Sequence, residues 1–368
     1  MLTKFSVTNF KSFNEEFSLD LTDTNGYTFN KSSIKNGIVN NGIVYGKNGV
    51  GKSNLGLAIF DIISHLTDNG TSEKLYKNYI NAENESDKAI FVYEFLVDSK
   101  KIVYKYKKTD MNTIVSEKFS IDGEILASIN RSTGYVLVKF KGAENLKTEL
   151  PNNLSLLKYI KSNTVLDKNE NNKAFENFYD FVERMLFFRS LQSNDYIGLE
   201  VGRRDVYQGI IEQNNVSDLQ EFLNTAGIVC KLTVIKESEN EVIAFDFGDK
   251  KINLFTIAST GTVSLVLFYY WLQVLREKSL VSFLFIDEFD AFYHHELSAL
   301  VVRKLKETAV QFMLTTHNTS IMTNDLLRPD CYFTMNSKKI ISFSKMTNKE
   351  LREAHNIEKM YKAGSFNV

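Results

Sequence analysis

A glycine-rich segment between an apolar run and a helical pattern constrains this chain more than any other feature. Residues 46–53 read Gly-Lys-Asn-Gly-Val-Gly-Lys-Ser and match the pattern G-x-x-x-x-G-K-[ST] of phosphate-binding loops. The glycines allow backbone N–H groups to surround phosphates, and the start of the following helix adds a positive dipole end. Lys52 would reach the β- and γ-phosphates, and Ser53 would ligate Mg²⁺. The segment predicts that the chain binds a nucleoside triphosphate.

The residues on either side of this loop support the same interpretation. An apolar strand is predicted over residues 38–45, and the helical run begins at Asn54. An ordinary glycine-rich turn between a strand and a helix is the alternative, but a true phosphate-binding loop requires this same context. The candidate ATP-binding residues of the loop are Gly46, Asn48, Gly49, Gly51, Lys52, Ser53 and Asn54.

Composition restricts the class of protein. The chain has 368 residues, a net charge of -1 and two isolated cysteines, which suggest neither a disulfide framework nor a cysteine metal site. Residues 1–7 lack the apolar core of a signal peptide, so none is expected. The most apolar run, residues 263–275, is shorter than a membrane span and contains two tyrosines and a glutamine, so we expect a buried helix. A cytoplasmic protein without a membrane segment is expected.

Hydrophobic periodicity predicts an α/β core divided by two insertions. Alternation of apolar and polar residues predicts two strands within the first 21 residues, one at the beginning of this segment and one at its end. An antiparallel meander beside the core is predicted next, with Asp122-Gly123 as a hairpin turn. Helical spacing follows over residues 172–186, and strands return over residues 228–235 and 241–247. The segment 258–335 alternates helix and buried strand.

Four regions are predicted along the chain. The N-terminal half of the core carries the phosphate loop, an antiparallel β lobe and a helical lobe are inserted after it, and the C-terminal half of the core follows. Their predicted bounds are 1–87, 88–149, 150–226 and 227–368.

A second motif completes a candidate phosphoryl-transfer site. The apolar strand 282–286 ends in Asp287 and Glu288, where ligands bind in open α/β sheets. Asp287 would hold the Mg²⁺ shell and Glu288 would polarise the attacking water as the catalytic base. The alternative is a pair of solvent-facing acids that cap the next helix, a role that Asp290 could equally perform.

Two further clusters are candidates for contact with the γ-phosphate. His317 follows the next predicted strand, and its imidazole could hydrogen-bond the γ-phosphate as a second catalytic residue. Ser259 and Gly261 precede the long apolar helix, where a hydroxyl, free N–H groups and a helix dipole suit a phosphate. A simple N-cap is an equally good interpretation of Ser259.

Taken in order, these motifs resemble the ABC-type ATPase branch that contains the SMC and RecF proteins. The loop matches that branch's form G-x-N-G-x-G-K-S-N, residues 283–290 match its acidic strand and D-loop, and His317 matches its switch histidine. The chain looks closer still to compact AAA ATPases of bacterial anti-phage systems (RloA-like, AriA-like and Septu-type) through residues 287–294 and 356–364. Of the family's signature L-S-G-G-Q, only Ser259 and Gly261 remain.

The resemblance implies a P-loop ABC-ATPase head that uses ATP and Mg²⁺. Within this family two subunits enclose two nucleotides, and each phosphate loop faces the partner's signature turn. A homodimer, or a higher oligomer built on it, is therefore implied, with Ser259 and Gly261 acting across the interface. ATP would join the two subunits, and hydrolysis would remove the contacts with the γ-phosphate.

Three functions remain to be compared. The first is an ATP-hydrolysing switch that dimerises on ATP and regulates a separately encoded effector, a nuclease or toxin, in phage defence. The second is a RecF-like DNA-binding ATPase of DNA repair. The third, an OLD-type nuclease, is weak because only about 50 residues follow His317. Candidate DNA contacts are Arg203, Arg204 and the lysines at 100, 101, 105, 107 and 108, although such runs are usually a solvated strand face.

Overall fold

The computed structural model describes residues 1–69, 73–146, 149–189, 195–199, 206–277 and 280–366. The N-terminal segment contributes an outer hairpin, a short ribbon, a core strand and two helices. These elements are β1 (Leu2–Thr8), β2 (Phe17–Asp20), β3 (Ile34–Lys35), β4 (Ile38–Val39), β5 (Asn41–Tyr45), α1 (Lys52–Phe60) and α2 (Ile63–Leu66).

The predicted antiparallel meander is confirmed. Its strands are β6 (Ala89–Val97), β7 (Lys100–Lys108), β8 (Ile114–Ile121), β9 (Glu124–Asn130) and β10 (Tyr135–Val138). Asp122 and Gly123 both have positive φ, 49° and 87°, as a two-residue type I′ hairpin requires. The outer hairpin joins the same sheet, in the order β10-β9-β8-β7-β6-β1-β2. The β lobe proposed for residues 88–149 thus shares its sheet with two N-terminal strands.

The helix predicted over residues 172–186 is wrong at its C-terminal end. The helix stops at Glu183, and Met185–Arg189 form a fully buried strand that pairs in parallel with the acidic strand. Helical spacing and a buried strand cannot be separated in a short apolar run by periodicity alone. The elements here are α3 (Leu156–Asn163), α4 (Glu170–Glu183), β11 (Met185–Arg189), β12 (Asp195–Gly198), α5 (Val206–Glu212) and α6 (Val216–Thr225).

The last part of the chain returns to the core after a small antiparallel sheet, β13-β14-β15. Its elements are β13 (Leu232–Glu237), β14 (Asn240–Asp246), β15 (Lys251–Asn253), α7 (Leu254–Ile257), α8 (Thr260–Arg276), β16 (Phe283–Asp287), α9 (His295–Lys306), β17 (Gln311–Thr316), β18 (Tyr332–Met335), β19 (Ile340–Ser342) and α10 (Ile357–Lys362).

The core sheet has the order β12-β11-β16-β17-β5-β18-β19. Its five central strands are parallel, and an antiparallel strand closes each edge. Strands β5, β16 and β17 are neighbours, so their carboxyl ends lie at one edge of the sheet. The phosphate loop, the acidic pair and His317 each follow one of these three strands. The topology therefore gathers the predicted site.

Helix α1 lies between the two large sheets, and for this reason every residue from Leu55 to Phe60 is buried. On one side Gly56 allows a close approach, since a Cβ there would lie 2.6 Å from the Phe187 ring. On the other side the Tyr93 hydroxyl of the antiparallel sheet donates to the Ala58 carbonyl at 2.8 Å. The helix that begins at the phosphate loop is thus fixed against both sheets.

The long apolar helix is buried, as predicted. Helix α8 covers Thr260–Arg276 and buries most of its aromatic and aliphatic side chains against the core. Within the described part of the chain, no helix is both long enough and apolar enough to cross a membrane.

Candidate nucleotide-binding site

The loop between β5 and α1 has the backbone that the motif requires. Gly51 has φ 103°, and a Cβ there would lie 2.7 Å from the Ser12 hydroxyl oxygen. Gly46 meets a similar restriction, because its Cβ would lie 2.9 Å from the Val50 side chain. Larger residues would therefore distort the loop. Asn48 and Gly49 are exposed at its tip.

Lys52 is the first residue of α1, and its ammonium group lies inside the loop. Nζ donates hydrogen bonds to the carbonyl oxygens of Gly46 at 2.9 Å and Lys47 at 3.2 Å. The side chain is only 4% exposed. A buried point charge held by the loop's own backbone is placed to bind an anion that enters the loop.

Ser53 and Asp287 meet at the edge of the core sheet. The Ser53 hydroxyl donates to Asp287 Oδ2 at 2.5 Å, and the Thr315 hydroxyl donates to Oδ1 at 2.6 Å. Asp287 is 8% exposed, so a solvent-facing cap is not its role. A hydroxyl and a carboxylate oxygen are the hard donors that Mg²⁺ takes from a protein when phosphates and water complete its shell. The donor set fits the predicted ion.

Glu288 takes an unusual backbone conformation beside the loop lysine. Its φ is 49°, and its N–H donates to the Thr315 hydroxyl at 2.8 Å. Its Oε1 lies 3.9 Å from Lys52 Nζ. A non-glycine residue in the left-handed region is uncommon and is concentrated at functional sites. The turn points the carboxylate toward the loop.

Asp290 is buried under the end of β17. The Thr316 hydroxyl contacts its two carboxylate oxygens at 2.8 and 2.9 Å, and burial raises the pKa of Asp290. Helix α9 instead has His294 at its N-cap position, without a side-chain cap bond. The alternative that Asp290 caps this helix is therefore wrong. His317 directly follows β17 and is exposed at the same edge of the sheet.

Ser259 is the N-cap of α8, as the second interpretation proposed. Its Oγ accepts a hydrogen bond from Thr262 N at 3.2 Å and lies 2.9 Å from the Thr262 hydroxyl. Ser259 is exposed, and a Cβ on Gly261 would lie 3.2 Å from the Phe292 carbonyl oxygen. Among the described residues, no hydrogen bond joins this turn to residues 46–54. The turn packs instead beside the segment that follows Glu288.

Several side chains of the site had no role in the sequence-based prediction. Ser12 lies in the turn of the outer hairpin, and its hydroxyl oxygen accepts a hydrogen bond from the side-chain amide of Asn54 at 2.9 Å. This bond connects the hairpin with the start of α1. Arg189 ends β11, lies opposite Asp287 in the register and is buried. The sequence signal for Arg189 was a basic residue directly after the apolar run 185–188. Because that run was assigned to a helix, Arg189 was not recognised as the end of a core strand.

The lysines proposed as DNA contacts have different environments. The prediction that Lys108 contacts DNA is wrong, because this residue is fully buried and pairs with Asp61 at 2.9 Å. Lys101 pairs with Glu94 at 2.7 Å, and Lys100 lies 3.6 and 3.4 Å from Asp122 and Glu170. Lys105 is exposed and Lys107 half-buried on the outer face of the sheet. The candidates at 203 and 204 lie outside the described residues.

Sequence comparison assigns the chain to a family. Residues 43–323 match the model described as "AAA domain, putative AbiEii toxin, Type IV TA system". The match spans well over half of the chain, so the protein belongs to this AAA family. None of the curated proteins matches the chain.

Solved structures with the same fold include heads of SMC proteins. The Pyrococcus furiosus Smc head, solved with an extended coiled coil and bound to the C-terminal domain of ScpA, has a TM-score of 0.50 and 12% identity, with 94% of this chain and 97% of that chain covered. The Thermotoga maritima SMC head gives 0.44 and 16% (93% and 98% covered), and an SmcHead bound to the C-winged helix domain of ScpA gives 0.47 and 15% (98% and 99%). The Pyrococcus furiosus match, at a TM-score of 0.50, shows that the chain has the ABC-type fold of an SMC head.

Proposed function

We propose that this protein binds and hydrolyses ATP as a molecular switch, dimerises on ATP, and thereby regulates a separate effector in anti-phage defence. One observation carries the proposal. The Ser53–Asp287 hydrogen bond of 2.5 Å and the Lys52–Glu288 approach of 3.9 Å bring the loop lysine, a hydroxyl and two carboxylates together at one edge of the sheet, which supports binding of phosphate and Mg²⁺. Membership of an AAA family supports the choice of ATP.

Each residue would have a distinct task during hydrolysis. Lys52 would bind the β- and γ-phosphates, while Ser53 and Asp287 would hold Mg²⁺, which supplies charge neutralisation when bound. The Glu288 carboxylate would accept the proton of the attacking water. The Thr315 hydroxyl positions both acids, because it donates to Asp287 and accepts from the Glu288 backbone. His317 would bind the γ-phosphate from the end of β17.

Dimerisation is proposed to use the exposed turn at the start of α8. Ser259 and Gly261 lie beside Phe292, which is 37% exposed, and Ile257 in α7 is 50% exposed. An exposed hydroxyl, a helix N-terminus and two apolar side chains form a surface suited to a partner's bound nucleotide. The ABC-type fold, in which two subunits enclose the nucleotides, supports this arrangement.

The defence role depends on the resemblance and on the family description. Residues 287–294 and 356–364 resemble the compact RloA-, AriA- and Septu-type ATPases, and the family is described as a putative AbiEii toxin of a type IV TA system. Toxin–antitoxin systems are two-component by design, which favours a separately encoded partner. A cytoplasmic location, where phage replication and ATP coincide, is part of the proposal.

A RecF-like role in DNA repair is the second candidate, and a specific surface allows a test. Lys105 lies directly opposite Lys118 in the β7–β8 register, and Lys107 is on the same face. Like charges in directly opposed positions destabilise a sheet unless an anion lies between them. DNA-stimulated turnover with a steep salt dependence would favour this candidate. If DNA does not change the rate of ATP turnover, the effector switch is the better proposal.

The deciding experiment measures nucleotide binding, turnover and mass together. The purified protein is titrated with ATP and Mg²⁺, phosphate release is followed, and the mass is measured with and without ATP. Saturable binding, turnover and an ATP-dependent dimer are the expected results. A protein that binds no ATP contradicts the proposal at its first step.

A further inference from the structure

Helix α10 contacts residues that lie next to two parts of the candidate nucleotide site. Its Tyr361 ring contacts the Tyr45 ring at a centroid distance of 5.1 Å in an edge-to-face arrangement. Its Glu358 accepts a hydrogen bond from the Thr319 hydroxyl at 3.0 Å. Tyr45 is the last residue of β5, immediately before Gly46, and Thr319 lies two residues after His317. One helix therefore contacts the residues that adjoin two separate parts of the site.

Hydrogen bonds from a buried side chain hold the segment that leads into α10. The Asn324 amide, which is 2% exposed, donates to the carbonyl oxygens of Arg352, Glu353 and His355 at 2.9, 3.2 and 3.1 Å. The Asn356 side chain then caps the helix by accepting from Lys359 N at 2.8 Å. A segment held at this many points transmits a displacement and does not absorb it.

Hydrogen bonds also connect the residues beside α10 with Asp290, in the loop that follows β16. The Thr316 hydroxyl binds Asp290 and accepts from Asn318 N at 2.8 Å. The next residue, Thr319, donates to Glu358. The short turn that contains His317 thus has a fixed contact on each side, at Asp290 and at Glu358.

The carboxylate of Glu358 is well suited to hold this turn. Lys362 donates to it at 2.7 Å, and this bond together with the one from Thr319 lowers the pKa of Glu358. The group is therefore ionised at neutral pH, and a charged acceptor strengthens the bond from the threonine hydroxyl.

We propose that α10 is a positioning element of the ATPase site, in which Glu358 sets the His317 turn and Tyr361 sets the entry to the phosphate loop. The inference rests on the proposed function and assigns its regulation to the C-terminal segment. Because one short helix holds both parts, a movement of the His317 turn on γ-phosphate binding is transmitted to Tyr45 and the loop. A protein that displaced α10 would then release both parts together.

The test separates turnover from binding. Thr319→Val removes the hydroxyl and keeps the shape, and Glu358→Ala removes its acceptor. Each variant should bind ATP with nearly unchanged affinity but turn over roughly 10-fold more slowly, the effect of about 1.4 kcal/mol at the transition state. The double variant should lose no more than one single variant does, because both remove the same contact. Lys359→Ala, on the exposed face of the same helix, is the control.

A second readout does not depend on turnover. Hydrogen exchange of residues 356–364 should slow when a non-hydrolysable ATP analogue binds the wild-type protein, and this response should be absent in Thr319→Val. The inference is overturned if both variants turn over ATP at the rate of Lys359→Ala. It is also overturned if the analogue does not change the hydrogen-exchange rate of α10 in the wild-type protein. A wild-type protein that binds no analogue overturns the proposed function instead, so the two failures are distinguishable.

Discussion

Ser53 and Asp287 are 234 positions apart in the sequence and share a hydrogen bond of 2.5 Å. The bond joins the first turn of α1 to the end of β16, and the parallel neighbours β16, β17 and β5 make it possible. The hydroxyl and the carboxylate are thus held by separate elements of the core. This geometry supports the proposal that the site binds a phosphate-bound divalent cation.

Replacement of Lys52 by Ala should abolish tight ATP binding. The substitution removes the buried cation that Gly46 and Lys47 hold inside the loop. Charge-assisted contacts to the β- and γ-phosphates are lost with it. Isothermal titration with ATP and Mg²⁺ measures the effect, and thermal melting verifies that the variant is folded. A folded variant that binds ATP like the wild type would show that the loop assignment is incorrect.

Replacement of Glu288 by Gln should preserve ATP binding and slow hydrolysis by roughly 10²–10⁴-fold, the usual contribution of a general base. The amide keeps the size of the side chain but cannot accept the proton. The ATP-bound dimer should accumulate, which size-exclusion chromatography with ATP detects. Unchanged turnover would transfer the role to another acid, and Asp290 is the next candidate because it lies in the same loop.

The signature turn should act across the dimer. Ser259→Arg and Lys52→Ala should each be inactive alone, and a mixture should regain activity. In a mixed dimer the intact loop of the Ser259→Arg chain faces the intact turn of the Lys52→Ala chain. Turnover of the mixture, with mixed dimers verified by native mass spectrometry, is the measurement. Mixed dimers without activity would reduce Ser259 to its role as the α8 cap, or would require both sites to work together.

The parts of the site that lie in local motifs could be predicted from the sequence. The phosphate loop needs glycines at fixed positions, and the pair Asp287-Glu288 follows an unbroken apolar strand. In both cases the chemistry and the element that carries it are adjacent in the chain. The structure joins them because parallel strands place their carboxyl ends together.

Contacts between distant elements could not be predicted in this way. The apolar residues of β11 continue the helical spacing of the apolar face of α4, and only the pairing of β11 with β16 identifies it as a strand. The two tyrosines at positions 45 and 361 meet because α10 packs back on β5. Neither residue pattern carries a local signal of its partner, so tertiary packing decides both.

Stability should fall as the pH rises through the range in which Glu117 ionises. Burial raises the pKa of Glu117 to about 7 from 4.5, so the folded state binds more protons than the unfolded state between these values. The free energy of unfolding should therefore be highest below about pH 4.5 for this group, and the part lost by pH 7 should be about 3 kcal/mol.

The variant Glu117→Gln should flatten this dependence. The amide cannot ionise, and its oxygen can still accept the hydrogen bond from Leu156 N that Glu117 accepts at 2.7 Å. Urea unfolding across this pH range, for the wild type, Glu117→Gln and the exposed control Glu176→Gln, measures the effect. If Glu117→Gln has the wild-type slope, the buried carboxyl is not the source.

Replacement of Lys108 by Met should destabilise the protein, because it leaves a buried charge without its cation. Asp61 follows α1, is fully buried, and accepts from Lys108 at 2.9 Å and from the hydroxyls of Tyr79 and Tyr106, each at 2.9 Å. Loss of one partner of a buried ion pair costs about 3–5 kcal/mol. Lys105→Met, on the solvent face of the same strand, should change stability by no more than about 0.5 kcal/mol.

The double variant Asp61→Asn with Lys108→Met distinguishes charge from packing. When the carboxylate is neutralised as well, much of the lost stability should return, because no buried charge remains unpaired. Denaturant unfolding of the wild type, Asp61→Asn, Lys108→Met and the double variant gives the coupling energy between the two positions. Equal losses at positions 105 and 108, or no recovery in the double variant, would show that the pair does not hold the antiparallel sheet to the end of the phosphate-loop helix.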